Sequence, residues 1–193
     1  MRRALHYVVL VFGVAFIFAV HAQGQIAVYA MGGGSRVSGA NVGATTPSSG
    51  SGSFIAYGPT FGIYDMWFHK GPVSLGSDFR LTFQSSGNST PYGNNVRDGF
   101  VGLRVAFKVP AAPLRPYVQV GFGAGTTNYG RYSSDSGSGA FAYGFQAGLD
   151  YVVARHIDLR AEYGAGQVVN SSSQLGAANL QLQQFGAGVV VRF

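Results

Sequence analysis

The chain has 193 residues, a formal net charge of +6, 30 glycines, no cysteine, 14% aromatic residues and only 10% charged residues. A soluble domain normally carries about 25% charged residues, so this composition argues against a water-exposed globule, and the absent cysteines exclude disulfides, thiolate metal sites and lipoprotein acylation. Low charge with many glycines and aromatics suits strands that meet lipid on one face and a narrow interior on the other.

The first element is an export signal. Met1-Arg2-Arg3 is a basic n-region, Tyr7 to Val20 is apolar apart from Gly13, and Val20-His21-Ala22 precedes a cleavage point before Gln23. Cleavage after Gly24 satisfies the same small-residue rule. The apolar run is shorter than the about 20 residues of a membrane anchor, and no stop-transfer pattern follows it. The expected division is a signal peptide at residues 1–22 and one domain at 23–193. Loss of Arg2 and Arg3 takes the formal charge from +6 to +4, which gives no argument for nucleic-acid binding.

Eight alternating stretches follow. Gln25 to Gly34 is weakly patterned and ends in three glycines. Phe54 to Asp65 sets Ile55, Tyr57, Phe61 and Ile63 against Gly58, Thr60, Gly62 and Tyr64. Val73 to Gln84 sets Val73, Leu75, Phe79, Leu81 and Phe83 against Ser74, Gly76, Asp78, Arg80, Thr82 and Gln84. Gly99 to Val109 opposes valines, Leu103 and Phe107 to Gly102, Arg104, Ala106 and Lys108, and Pro116 to Gly125 opposes Val118, Val120 and Phe122 to Tyr117, Gln119, Gly121 and Gly123. Ala140 to Val153 carries Gly144, Gln146, Gly148 and Asp150 on its small or polar face. His156 to Ala165 carries Asp158, Arg160, Glu162 and Gly164 on the corresponding face. In the last stretch, Gln181 to Phe193, the residues Phe185, Ala187, Val189, Val191 and Phe193 alternate with Gln184, Gly186, Gly188 and Arg192; Val190 alone breaks the second row. A period of two puts each row on its own side of a strand.

The connections at 35–53, 85–97, 126–139 and 166–178 are long and rich in Ser, Gly, Asn and Thr, whereas the intervening ones are short, such as Ala154-Arg155. Long connections on one side and short turns on the other are the asymmetry of outer-membrane barrels. Each stretch is close to the ~9–11 residues that cross a bilayer with tilt. The polar rows must face inward. Turning the third or seventh strand inside out would put Asp78 and Arg80, or Asp158, Arg160 and Glu162, into lipid, at roughly 2–4 kcal/mol per mid-bilayer Lys or Arg and less per acid. An open sheet is excluded as well, because unpaired backbone groups in hydrocarbon cost several kcal/mol each. A soluble lipocalin-type calyx would need the opposite sense and many more surface charges.

The eight segments, the run Asp158-Leu159-Arg160-Ala161-Glu162-Tyr163 and the terminal Val189-Val190-Val191-Arg192-Phe193 resemble a small bacterial outer-membrane β-barrel of the OmpA/OmpX type. The resemblance implies an all-β, eight-stranded antiparallel up-and-down barrel in the outer membrane, surrounded by outer-membrane lipid. It also implies a terminal signal in Phe185, Val189, Val191 and Phe193 that the barrel-assembly machinery reads during biogenesis. The chain ends at the barrel, without the peptidoglycan-binding domain of larger OmpA proteins.

The candidate functional interior comprises Asp78, Arg80, Arg104, Lys108, Asp150, Asp158, Arg160, Glu162 and Arg192. Two readings stand: a closed ion-pair network that plugs a narrow tube, or a pore whose charges set selectivity. Catalysis has little support. Of the histidines beyond the signal, His69 and His156 both lie beside short turns, while Asp98 and Asp135 are expected in outer loops that carry no histidine to act as base. A His156–Asp158 pair reads as a rim hydrogen bond. No metal-ligand spacing stands out, and no cofactor is expected. Tyr64, Trp67, Phe68, Tyr117, Tyr151 and Phe193 toward the turn end, and Phe54, Phe83, Phe100 and Phe141 toward the loop end, read as interfacial girdles. The expected function is structural, adhesive or recognitive through outer loops that meet an unknown surface ligand, with a low-conductance pore as the alternative. A lipid-modifying or proteolytic barrel comes third.

Overall fold

The computed structural model describes residues 25–40, 51–87, 95–128, 140–173 and 176–193. The expected signal peptide and Asp135 lie outside the described residues. Eight strands follow in order: β1 (Gln25–Ala40), β2 (Ser51–Lys70), β3 (Val73–Ser85), β4 (Asn95–Phe107), β5 (Leu114–Asn128), β6 (Ala140–Ala154), β7 (Ile157–Ser173) and β8 (Gly176–Arg192). Each pairs antiparallel with the next, and β1 pairs with β8 from Ala27↔Arg192 to Gly39↔Leu180, closing the barrel. Closure gives every spanning strand two partners, as a hydrocarbon surround demands.

The strands are longer than the alternation alone suggests. At the loop end β1 and β2 stay paired to Ala40↔Ser51, and β7 and β8 to Ser173↔Gly176. The long fourth connection expected at 166–178 is therefore replaced by residues 174–175 between two paired strands. Ser and Gly there read as loop because no apolar row marks them; beyond the bilayer a ladder needs no apolar row to persist. At the turn end, Gly71 adopts φ +60° in the two-residue link from β2 to β3, a conformation that suits glycine.

The inward and outward rows follow the expected register through most of the strands, with shifts at Asp65/Phe68, Val152/Ala154 and Val168/Ser171. A β-bulge between Asp65 and Phe68 in β2 lets Met66 stay inside while the consecutive Trp67 and Phe68 both face out. On the outer wall, Tyr57 and Phe185 fold over Gly34, the residue paired with both of them, with ring centroids 6.4 Å apart. Four aromatics expected in the girdles are instead interior: Tyr64, Tyr117 and Phe100 are buried and Phe54 packs against an interior cluster. Their parity already set them opposite the lipid row, and in a narrow lumen an aromatic fills space as well as a charge does.

Candidate functional site

The lumen is filled in two tiers. Toward the loop end, Val37, Ala56, Val96, Phe100, Ala142, Val168, Leu180 and Leu182 form one buried apolar cluster contributed by β1, β2, β4, β6, β7 and β8. The polar groups begin among its lower members, with Asp98 between Val96 and Phe100 on β4, and continue below it. Gln184 Nε2 donates to Asp98 Oδ2 at 2.8 Å, and Thr60 and Thr82 hydroxyls meet at 3.4 Å. Asp98 is thus not a loop residue, as the sequence suggests, but a buried member of β4 facing inward.

The central ion pairs span the tube. Arg80 on β3 holds Glu162 on β7 through two hydrogen bonds, Nη1 to Oε1 at 2.5 Å and Nη2 to Oε2 at 2.7 Å. Tyr117 donates to the same Oε2 at 2.6 Å. Asp78 accepts from the Tyr29 hydroxyl and from Gln119 Nε2, each at 2.9 Å, and lies 3.9 Å from Arg80. Asp150 takes two bonds from Arg160, at 2.7 and 2.9 Å, and one from Arg104 at 2.7 Å. Nearest the turns, Arg192 Nη2 donates to Asp158 Oδ1 at 2.7 Å. Fork-shaped guanidinium–carboxylate contacts of this length are the strong, oriented kind.

Three tyrosines separate the cations. The Arg104 guanidinium lies 3.4 Å from the Tyr117 ring centroid and 4.3 Å from that of Tyr64, and Arg160 lies 4.4 Å from that of Tyr29. The ring faces attract the guanidinium groups and hold like charges apart. Glycines make the room. Glu162 sits between Gly148 and Gly186 in the ladder, Arg160 beside Gly188, Arg80 beside Gly62 and Arg104 beside Gly76. A side chain at Gly62 would overlap the Tyr29 phenol, and one at Gly148 that of Tyr117.

Eight of the nine expected lumen charges therefore face inward: Asp78, Arg80, Arg104, Asp150, Asp158, Arg160, Glu162 and Arg192. Lys108 does not. It lies just beyond β4, exposed, where its amide donates to the Pro72 carbonyl in the turn region; the strand ends at Phe107, so its alternation no longer sets direction. His156 approaches the Arg192 carbonyl at 2.9 Å through Nδ1, so the expected His156–Asp158 pair gives way to separate contacts with Arg192. His69 is exposed at the turn end of β2. Sequence reasoning missed Tyr29 and Arg115. Tyr29 lies in the weakly patterned first strand; Arg115 precedes the expected start of β5 but shares parity with Tyr117 and Gln119. Phe185, Val189, Val191 and Phe193 line the outer wall of β8 and its end, and the Phe193 amide donates to the Ile26 carbonyl. Among the described residues no group of three or more His, Asp or Glu side chains is placed to hold a metal ion.

The arrangement suits cross-linking of the wall by buried charges, and the fold that carries it is similar to that of known barrels. The chain resembles the crystal structure of Neisserial surface protein A, with a TM-score of 0.63, 17% identity, and coverage of 89% of this chain and 100% of that one. It also resembles Ail, the attachment invasion locus protein of Yersinia pestis, with a TM-score of 0.52, 14% identity, and coverage of 86% and 98%. The same values hold for Ail in complex with the heparin analogue sucrose octasulfate. No curated protein sequence matches the chain. The profile described as outer membrane protein beta-barrel domain matches residues 10–193, and the chain accordingly belongs to that family of bacterial outer-membrane β-barrels.

Proposed function

We infer that this barrel is a non-enzymatic surface protein whose closed interior makes it a rigid pedestal, and that recognition or adhesion takes place on its loop-end rim. The observation that carries this reading is the two-tier lumen. An ion entering from the loop end would meet the buried apolar side chains of Val37, Val96, Leu180 and Leu182 before it reached the arginines, with Asp98 set between Val96 and Phe100 and held by Gln184. Below them the arginines and acids are already paired with one another. The rim supports the second half of the reading. There β1–β2 and β7–β8 continue as paired ribbons to the ends of the described strands, and the segments at 41–50, 88–94 and 129–139 join the strands at that end. Ail, the attachment invasion locus protein, has a similar fold and has a crystal structure in complex with the heparin analogue sucrose octasulfate, which recommends anionic glycans as first probes. Export through a cleaved signal peptide at residues 1–22 and assembly through the β8 signal belong to the same proposal.

The test is single-channel recording of the barrel in planar bilayers, after a heat-dependent gel shift has shown that it is folded. The reading expects silence. Steady openings altered by Arg104→Ala or Asp150→Ala would overturn it and make the lumen charges pore-lining.

A further inference from the structure

The outside of the barrel carries a second feature that a pedestal does not require. The β8–β1–β2 wall holds a polar cleft of about 430 Å3 lined by Arg36, Ser38, Ser53, Asn179 and Gln181, all on outward-facing positions. Lower on the same wall an apolar groove of about 660 Å3 runs across β6, β7, β8 and β1, floored by Ala161, Ala187 and Gly32 and flanked by Leu149, Tyr163 and Phe185. Gly32 and Arg36 are four residues apart on β1, roughly 13 Å along a strand. Between them lies the Tyr57–Phe185 pair over Gly34. Aromatics of this kind sit at the boundary between hydrocarbon and head groups, so Arg36 stands at head-group level and the groove within the hydrocarbon.

Charge identifies what fits there. Among the described residues, the outward-facing charges in the loop-end half of the barrel are Arg36 and Arg97, both cationic. No described acid pairs with Arg36. An exposed guanidinium beside serine hydroxyls and side-chain amides offers donors in the arrangement that phosphate oxygens accept. A free phosphate would use the cleft alone, whereas the groove beneath it fits a hydrocarbon chain.

We propose that the outer wall from β6 through β7, β8 and β1 to β2 is a binding site for one anionic, phosphate-bearing lipid of the outer leaflet, its phosphate on Arg36 and its acyl chain in the Ala161–Ala187–Gly32 groove. The site ties the barrel to the charged layer around it and is independent of the lumen and of any ligand on the rim.

Native mass spectrometry of the folded barrel, released from micelles holding equal phosphatidylglycerol and phosphatidylcholine, tests the proposal. Wild type should retain phosphatidylglycerol about fivefold over phosphatidylcholine, the equivalent of the ~1 kcal/mol typical of one basic residue near an anionic membrane surface. Arg36→Gln should bring the ratio to about one, and Arg97→Gln should leave it unchanged. Ala187→Phe, which fills the groove from a lipid-facing position, should lower retention of both lipids. Each variant is first shown folded by its heat-dependent gel shift. An unchanged ratio in Arg36→Gln overturns the proposal. So does displacement of the bound lipid by inorganic phosphate with no effect of Ala187→Phe, which would mark an anion site without an acyl groove.

Discussion

Breaking the Arg80–Glu162 pair tests whether the lumen charges hold the wall together. Glu162→Gln keeps the shape and an acceptor for Tyr117 but removes the charge facing a guanidinium that is 2% exposed. Removing one partner of a buried pair costs about 3–5 kcal/mol, because the other charge is left uncompensated. Asp78, 3.9 Å from Arg80, offsets part of that, so a loss of about 3 kcal/mol is expected. Arg80→Met should cost a similar amount, since the Glu162 carboxylate keeps only the Tyr117 donor. With both changes the facing charges of the pair go together, and Asp78 keeps its neutral donors Tyr29 and Gln119, so the double variant should lose clearly less than the sum of the two single losses, a coupling of about 1–3 kcal/mol. Urea titration of the barrel in lipid vesicles measures this through Trp67, the one tryptophan of the chain, which faces outward, away from the perturbed pair. A double variant that loses the sum of the two single losses would show that the two side chains act separately and refute the argument.

Two further perturbations test register and packing. Leu159→Arg, on the lipid face beside the inward Arg160, should cost roughly 2–4 kcal/mol of insertion, whereas Ile55→Arg, paired across the ladder with Arg36 near the rim, should cost about 0–1. Folded yield in vesicles distinguishes them, and equal yields would mean that the membrane belt is misplaced. Gly62→Ala pushes the Tyr29 phenol away from Asp78 and should destabilise by about 1–3 kcal/mol. Gly32→Ala, where a methyl meets open space, should be close to neutral in the same urea assay.

Alternation made the architecture readable because a membrane barrel enforces it twice, by lipid on one side and by a narrow tube on the other. The row Asp78, Arg80, Thr82 of β3 and the row Asp158, Arg160, Glu162 of β7 face inward as the pattern requires. The pattern fails where one of those constraints is absent. Near the rim the outward row no longer meets lipid and turns polar, so the paired segments at Ser38↔Ser53 and Gln167↔Gln181 look like loop although Val37, Val168 and Leu180 beside them are buried. At the bulge in β2, Trp67 and Phe68 share a face that strict alternation would divide between them. In β1, Ala27, Tyr29 and Met31 point inward while Val28, Ala30 and Gly32 point outward, and neither row contrasts enough with the other to be told apart.

The lumen shows a different limit. Composition reveals acids and bases in near balance, but pairing depends on which strands face each other across the tube, and Arg80 finds Glu162 at a sequence separation of 82. Residue type narrows the answer. Arg104 and Arg160 each contact a carboxylate and at least one tyrosine ring at once. A lysine ammonium has neither the planar face to stack nor the fork to hold two carboxylate oxygens. The described lumen accordingly uses arginine at Arg80, Arg104, Arg160 and Arg192, while Lys70 and Lys108 lie exposed at the turn end. That division favours a wall braced by fixed charges over a path for mobile ions, because each guanidinium is oriented by a carboxylate, and at Arg104 and Arg160 by tyrosine rings as well, that would have to be given up for an ion to pass.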